Sequence, residues 1–83
     1  MNKVLIEIYV PAIGEHFDIF APVDVPIQEV TVIFADGIAE ITNGKYLSSK
    51  SEQLCTKEPA GILNPALTLQ DYGIKDGMQL YLI

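Results

Sequence analysis

Eighty-three residues, 49% hydrophobic and 19% charged, suffice for one small core, since a chain of this size buries only about 60% of the surface it exposes when unfolded. Five lysines and no arginine stand against eleven acidic side chains, a net charge of −6. That balance argues against nucleic acid and anionic membranes, which are bound by neutralising phosphates with Lys and Arg, and so small a core leaves little scaffold for an enzyme cleft.

Lys3 to Val10 alternates, with Val4, Ile6, Ile8 and Val10 on one face and Lys3, Leu5, Glu7 and Tyr9 on the other. Pro11 to Glu15 is turn chemistry around Gly14. His16 to Ala21 then alternates again, Phe17, Ile19 and Ala21 opposing His16, Asp18 and Phe20. Two such runs joined by a short Gly-containing loop predict a β-hairpin. Pro22 and Pro26 stop the strand, and Pro26 suits the first turn of a helix, with Glu29 placed favourably for the helix dipole. Ile27, Val30, Phe34, Ile38 and Ile41 recur at steps of three or four and predict one buried helical stripe. Gln28, Glu29, Asp36 and Glu40 take the other side, and Asn43-Gly44 supplies the stop. Val32, Ile33 and Gly37 are poor helix formers, so packing must hold this helix.

Lys45 to Glu52 is polar, serine-rich and read as a connection. Short strands are expected at Gln53 to Thr56 and at Ile62-Leu63, the first ended by Glu58-Pro59-Ala60-Gly61. Asp76-Gly77 turns the chain into a last strand, Met78 to Ile83, with Leu80 and Leu82 opposing Gln79, Tyr81 and Ile83. The expected architecture is α+β: a mixed sheet of four to five strands with one helix packed across one face. The first and last strands are expected side by side and parallel at its centre. One domain covers residues 1–83.

Cys55 is the one cysteine. It has no intramolecular disulfide partner, no Cys/His spacing resembles a zinc site, and a reducing compartment is expected. The opening Met1-Asn2-Lys3 runs straight into a strand pattern without a signal-peptide h-region, and no apolar stretch approaches the ~18 to 20 residues that span a bilayer. The expectation is a cytoplasmic protein without direct membrane insertion, peripheral to a membrane at most through a protein partner.

Thr68-Leu69-Gln70-Asp71-Tyr72-Gly73-Ile74, followed by Leu80-Tyr81-Leu82-Ile83, resembles the C-terminal part of a ubiquitin-like β-grasp domain. Leu69, Tyr72 and Ile74 at these spacings can plug the end of the sheet while Asp71 caps a turn. Gly73 stands where ubiquitin has Asn, and both tolerate the left-handed region. Phe17-Asp18-Ile19 through Pro22-Val23-Asp24-Val25-Pro26-Ile27-Gln28-Glu29 is similar to a pattern of the YukD-like (EsaB-like) family of type VII, or ESX-type, secretion systems. That domain is also found as the cytosolic part of a membrane component of mycobacterial systems. The resemblance covers nearly the whole chain and is weakest from Lys45 to Gly61. It implies a non-catalytic accessory or regulatory secretion component that docks to a cytosolic part of the membrane machinery. The rival reading is a carrier or small subunit of a cytosolic enzyme complex, such as a sulfur carrier or oxygenase accessory protein.

Conjugating and sulfur-carrying relatives act through a flexible C-terminal Gly-Gly. This sequence closes inside a predicted strand, so conjugation is not expected. His16 lacks a nucleophile or orienter and reads as a surface residue; Cys55 reads as a half-buried small hydrophobe. Asp76-Gly77 has no calcium-loop spacing. No catalytic residue, metal site or cofactor is expected. Glu29, Asp36 and Glu40 are a solvated face or a site for a basic partner. The outer sheet face, carrying Leu5, Tyr9, Phe20, Tyr81, Ile83 and Cys55, is the expected partner-binding surface, because contiguous apolar groups on a small domain mark contacts. The alternatives are that the chain's own long loop covers it, or a second copy in a homo-oligomer.

Overall fold

The chain is described from a computed structural model covering residues 2–57 and 60–83. Alternation makes β1 (Lys3–Val10), which buries Val4, Ile6, Ile8 and Val10, and β2 (Glu15–Pro22), which turns His16, Asp18 and Phe20 outward. These strands pair antiparallel from Lys3↔Pro22 to Val10↔Glu15. The helix α1 (Ile27–Ile41) follows, then β3 (Leu54–Lys57), β4 (Ala60–Ile62), a 3-10 turn (Gln70–Tyr72) and β5 (Gln79–Leu82). The sheet order is β2-β1-β5-β3-β4, with β1 and β5 parallel at its centre and the other pairs antiparallel.

No side chain caps α1. Pro26 sits at the N-cap, one position before the expected first turn, and the first two helical amides donate instead to the carbonyls of Leu67 (2.8 Å) and Pro65 (3.0 Å). The loop before the 3-10 turn thereby satisfies donors that a helix start leaves orphaned. At the other end Asn43 takes φ 53°, its amide donating to Glu40 and that of Gly44 to Ala39. This is the paired bond pattern that terminates a helix with an αL residue, here asparagine.

The helix lays Ile27, Val30, Phe34 and Ile38 against Ile6, Ile8, Leu80 and Leu82 in one core. Ile41, expected in that stripe, is 65% exposed. It is the last helical residue and lies over the rim of β2, where the sheet ends. Thr31 and Ala35 are buried as well, Thr31 satisfying its hydroxyl on the Ile27 carbonyl at 2.7 Å. Three strand boundaries also move. β3 runs one residue later than expected; β4 ends at Ile62, with Leu63 buried beyond it; β5 spans Gln79–Leu82.

The segment that carries the sequence resemblance closes one end of the sheet. Thr68 and Asp71 exchange hydrogen bonds, the Thr68 amide donating to Asp71 Oδ2 (2.9 Å) and the Asp71 amide to Thr68 Oγ1 (3.1 Å), a reciprocal cap. Leu69 and Ile74 are buried and Gly73 is left-handed at φ 66°. Tyr72 is not a plug. It is largely exposed, and its hydroxyl accepts the Asn64 amide at 2.8 Å, bracing the loop rather than filling the core. Asp76 then ties the final turn to β1, its Oδ1 accepting the Leu5 amide at 2.7 Å.

Candidate docking face

The strand registers place one row of side chains across the full width of the sheet, on the face away from the helix. His16 of β2 lies opposite Tyr9 of β1, Tyr9 opposite Tyr81 of β5, Tyr81 opposite Cys55 of β3, and Cys55 opposite Ile62 of β4. Tyr9 and His16 rings lie 4.5 Å apart, and Tyr9 meets Tyr81 edge-on at 5.5 Å. Both geometries fall within the range in which aromatic pairs attract beyond their area burial. His16 Nδ1 lies 3.8 Å from Glu7 Oε1, so its ring sits between a carboxylate and the Tyr9 ring. Cys55, within the row between Tyr81 and Ile62, is buried, and that burial pushes its thiol pKa up, away from the reactive thiolate.

A second row on the same face carries Asp18, Glu7 and Gln79, and a third Phe20 and Leu5. Leu5, Tyr9 and Tyr81 are half-buried, which leaves an edge of each ring or side chain at the surface, and Phe20 is 67% exposed. Four of the five residues expected to bind a partner therefore share a continuous surface. Ile83 stands apart: its backbone pairs with Gln53, and its side chain borders a hollow with Pro11, Ala12 and Leu47 at the end of the sheet. Ile62 and His16 belong to the row but were not among the expected partner residues. The outward phase of His16 was readable from alternation; the position of Ile62 depends on the register of two short strands.

The long connection does not cover this face. Tyr46 is buried in the core, and its hydroxyl donates to Glu52 Oε2 at 2.6 Å. The Ser49 amide donates to the same oxygen at 2.8 Å and Ser48 Oγ to Oε1 at 3.2 Å. Burial raises the Glu52 pKa, but these donors outweigh it, and the net position is below the ordinary carboxylate value. Burial and the neighbouring Glu52 carboxylate push the Tyr46 phenol well up. Lys50 reaches Asp36 of α1 at 3.3 Å. The connection is thus held on the helix side. Among the described residues no three His, Cys, Asp or Glu side chains converge as metal ligands, and no helix is long and apolar enough to cross a membrane.

No protein-family model and no curated protein matches the sequence. Solved structures do match. The ubiquitin-like domain of the Mycobacterium tuberculosis type VII secretion system protein EccD1 superposes with a TM-score of 0.79 at 16% identity, covering all of this chain and 99% of that one. The EccD5 ubiquitin-like domain from Mycobacterium xenopi gives 0.83 at 17% identity, with 94% of that chain covered. Ubiquitin from Caldiarchaeum subterraneum gives 0.70 at 18% identity over 99% of this chain and 92% of its own. The fold is a ubiquitin-like β-grasp. A chain of the MycP5-free ESX-5 inner membrane complex also matches at 0.80 and 15% identity, over 21% of its length.

Proposed function

We propose that this chain is a non-catalytic ubiquitin-like component of a type VII secretion system, which docks onto a protein of the membrane machinery through the outer face of its sheet. Its place is cytoplasmic, peripheral to the membrane through that partner. The observation that carries the docking role is the five-strand row from His16 to Ile62, uncovered by the chain's own long connection. Tyrosines suit such a surface: the ring brings contact area at little entropic cost and the hydroxyl stays hydrated or finds a partner. The secretion setting is supported by the sequence pattern around Pro22 to Glu29 and by the likeness to the two mycobacterial domains. A docking role without catalysis accords with the buried thiol of Cys55.

The test separates two adjacent residues of β5. Leu80 is fully buried, and Leu80→Ala should destabilise by about 2–5 kcal/mol. Tyr81→Ala should leave the fold nearly intact and weaken partner binding by about 1–2 kcal/mol. Thermal unfolding of both variants, and cross-linked recovery of bound proteins from the native cell, give the two readouts. Recovery of an adenylating enzyme or an oxygenase in place of a secretion component would favour the carrier reading. Full recovery of the secretion component by folded Tyr81→Ala would remove the outer face from the proposal.

A further inference from the structure

The edge of the sheet beside the helix offers backbone groups where the aromatic row offers side chains, and the two surfaces meet along β2 at His16. β2 is eight residues long, and no described strand pairs with its other edge. The ladder dictates which of its backbone groups point outward. Leu5 spends its amide on Asp76 and its carbonyl on Gly77, and Glu7 spends its amide on Met78, all on the β5 side. Residues along an antiparallel ladder alternate, so their partners Phe20 and Asp18, with His16 in the same phase, direct N–H and C=O to the free edge. Pro22 shares that phase, where a missing N–H costs the ladder nothing.

Beneath this edge, between β2 and α1, runs an apolar groove of ≈ 270 Å³, floored by Val30, Phe34 and Ile38 and walled by Ile19, Ile33 and Ile41. Charge decides what fits it. Glu29 lies one helical turn from Ile33, Glu40 adjoins Ile41, Asp24 follows β2, and Asp18 stands on the outer side of β2, beside the free edge rather than in the groove. All four are exposed, and none forms an ion pair among the described residues. Lys3, opposite Pro22, is the cation at one end. A second copy of this chain would set these carboxylates against their own kind.

We infer that the β2 edge and this groove take an extended segment of a partner protein, alternating apolar with polar residues and flanked by lysine or arginine, as an added strand. Its main chain bonds to His16, Asp18 and Phe20, its apolar side chains drop into the groove at every second position, and its cations meet Asp18, Asp24, Glu29 and Glu40. This site shares β2 with the outer face but rests on its free backbone edge and the groove, not on Tyr9 and Tyr81.

Three synthetic peptides test it by amide chemical shifts and hydrogen exchange on the full chain: KTIKVTIK, its glutamate counterpart ETIEVTIE, and KTIKPTIK, which cannot extend the ladder. The lysine peptide should bind saturably, shift residues of β2 and α1, and slow exchange at His16, Asp18 and Phe20. The glutamate peptide should bind at least about 10-fold more weakly at low salt, with the gap narrowing as ionic strength rises, and the proline peptide should not bind. Gly37→Leu, which places bulk in the groove where a Cβ meets nothing within 4 Å, should abolish binding while the chain stays folded. Tyr81→Ala should leave it unchanged. Absence of saturable shifts, equal affinity for the lysine and glutamate peptides, or shifts centred on Tyr9 and Tyr81 overturns the assignment. Self-association of the chain through this edge in sedimentation also overturns it, in favour of a second copy.

Discussion

Gly37 is the substitution whose outcome the structure fixes most tightly. It lies in the interior of α1 with an ordinary helical backbone, it is exposed, and a Cβ built there has no neighbour within 4 Å. Gly37→Ala therefore adds a methyl group that meets nothing, while removing backbone freedom from the unfolded chain. Glycine is about 0.8–1.0 kcal/mol less favourable than alanine inside a helix. For 83 residues, an unfolding entropy of about 2.1 cal/mol/K per residue comes to roughly 0.17 kcal/mol/K, so the gain corresponds to an increase in Tm of about 5 °C. Differential scanning calorimetry of the two proteins, at one pH and protein concentration, reads this directly. An unchanged or lower Tm would refute the reasoning, because it would mean that the glycine is needed for close approach or that the helix is not formed through this turn.

Phe34→Ala removes a ring that is 3% exposed from the centre of the core and should cost about 3–5 kcal/mol in urea unfolding; a cost under 1 kcal/mol would place the ring outside the core. Glu52→Gln should cost about 1 kcal/mol at neutral pH, because a charge-assisted acceptor is replaced by a neutral one. Since the Glu52 pKa is lowered on folding, its contribution is present above its ordinary value of 4.5 and is lost as pH falls through the folded value. The stability gap between wild type and Glu52→Gln should thus narrow as pH falls below 4.5 and close once it passes the folded value; a gap equal in acid and at neutral pH would show that the carboxylate charge is not involved. Cys55 should react slowly with a neutral thiol reagent in the native chain and rapidly in denaturant, and fast native labelling would contradict its burial.

Strict alternation made β1, β2 and the outward set of Leu5, Tyr9, Phe20 and Tyr81 legible from residues alone, because a one-residue slip would have exposed Ile6 and Ile8. The parallel pairing of β1 and β5 followed from their apolar inner faces. The bond network from Tyr46 to Glu52 did not show in the sequence, since it rests on three hydrogen bonds onto Glu52 within a serine-rich stretch that has no period. The short strands β3 and β4 shifted for a related reason: three or four residues are too few for alternation to fix a register. The groove was missed at Ile33 and Ile41. The periodic stripe places Ile41 inward and marks Ile33 only as a poor helix former, whereas the width of the sheet decides which helix residues have something to cover them.

The placement of β5 between β1 and β3 has a consequence for synthesis. The two central strands are separated by the helix and by β2, β3 and β4, so their contacts are among the most distant in sequence, which slows folding. At about 5–20 residues per second, a ribosome takes roughly 3–14 s to pass from the end of β1 to the start of β5. Through that interval the nascent hairpin of β1 and β2 has no central partner, and Val4, Ile6, Ile8 and Val10 lack the cover of Leu80 and Leu82. Until Gln79–Leu82 clears the exit tunnel, the chain is a client for any factor that recognises apolar strands, so its yield in the cell should depend on such factors more than the stability of the finished fold would indicate.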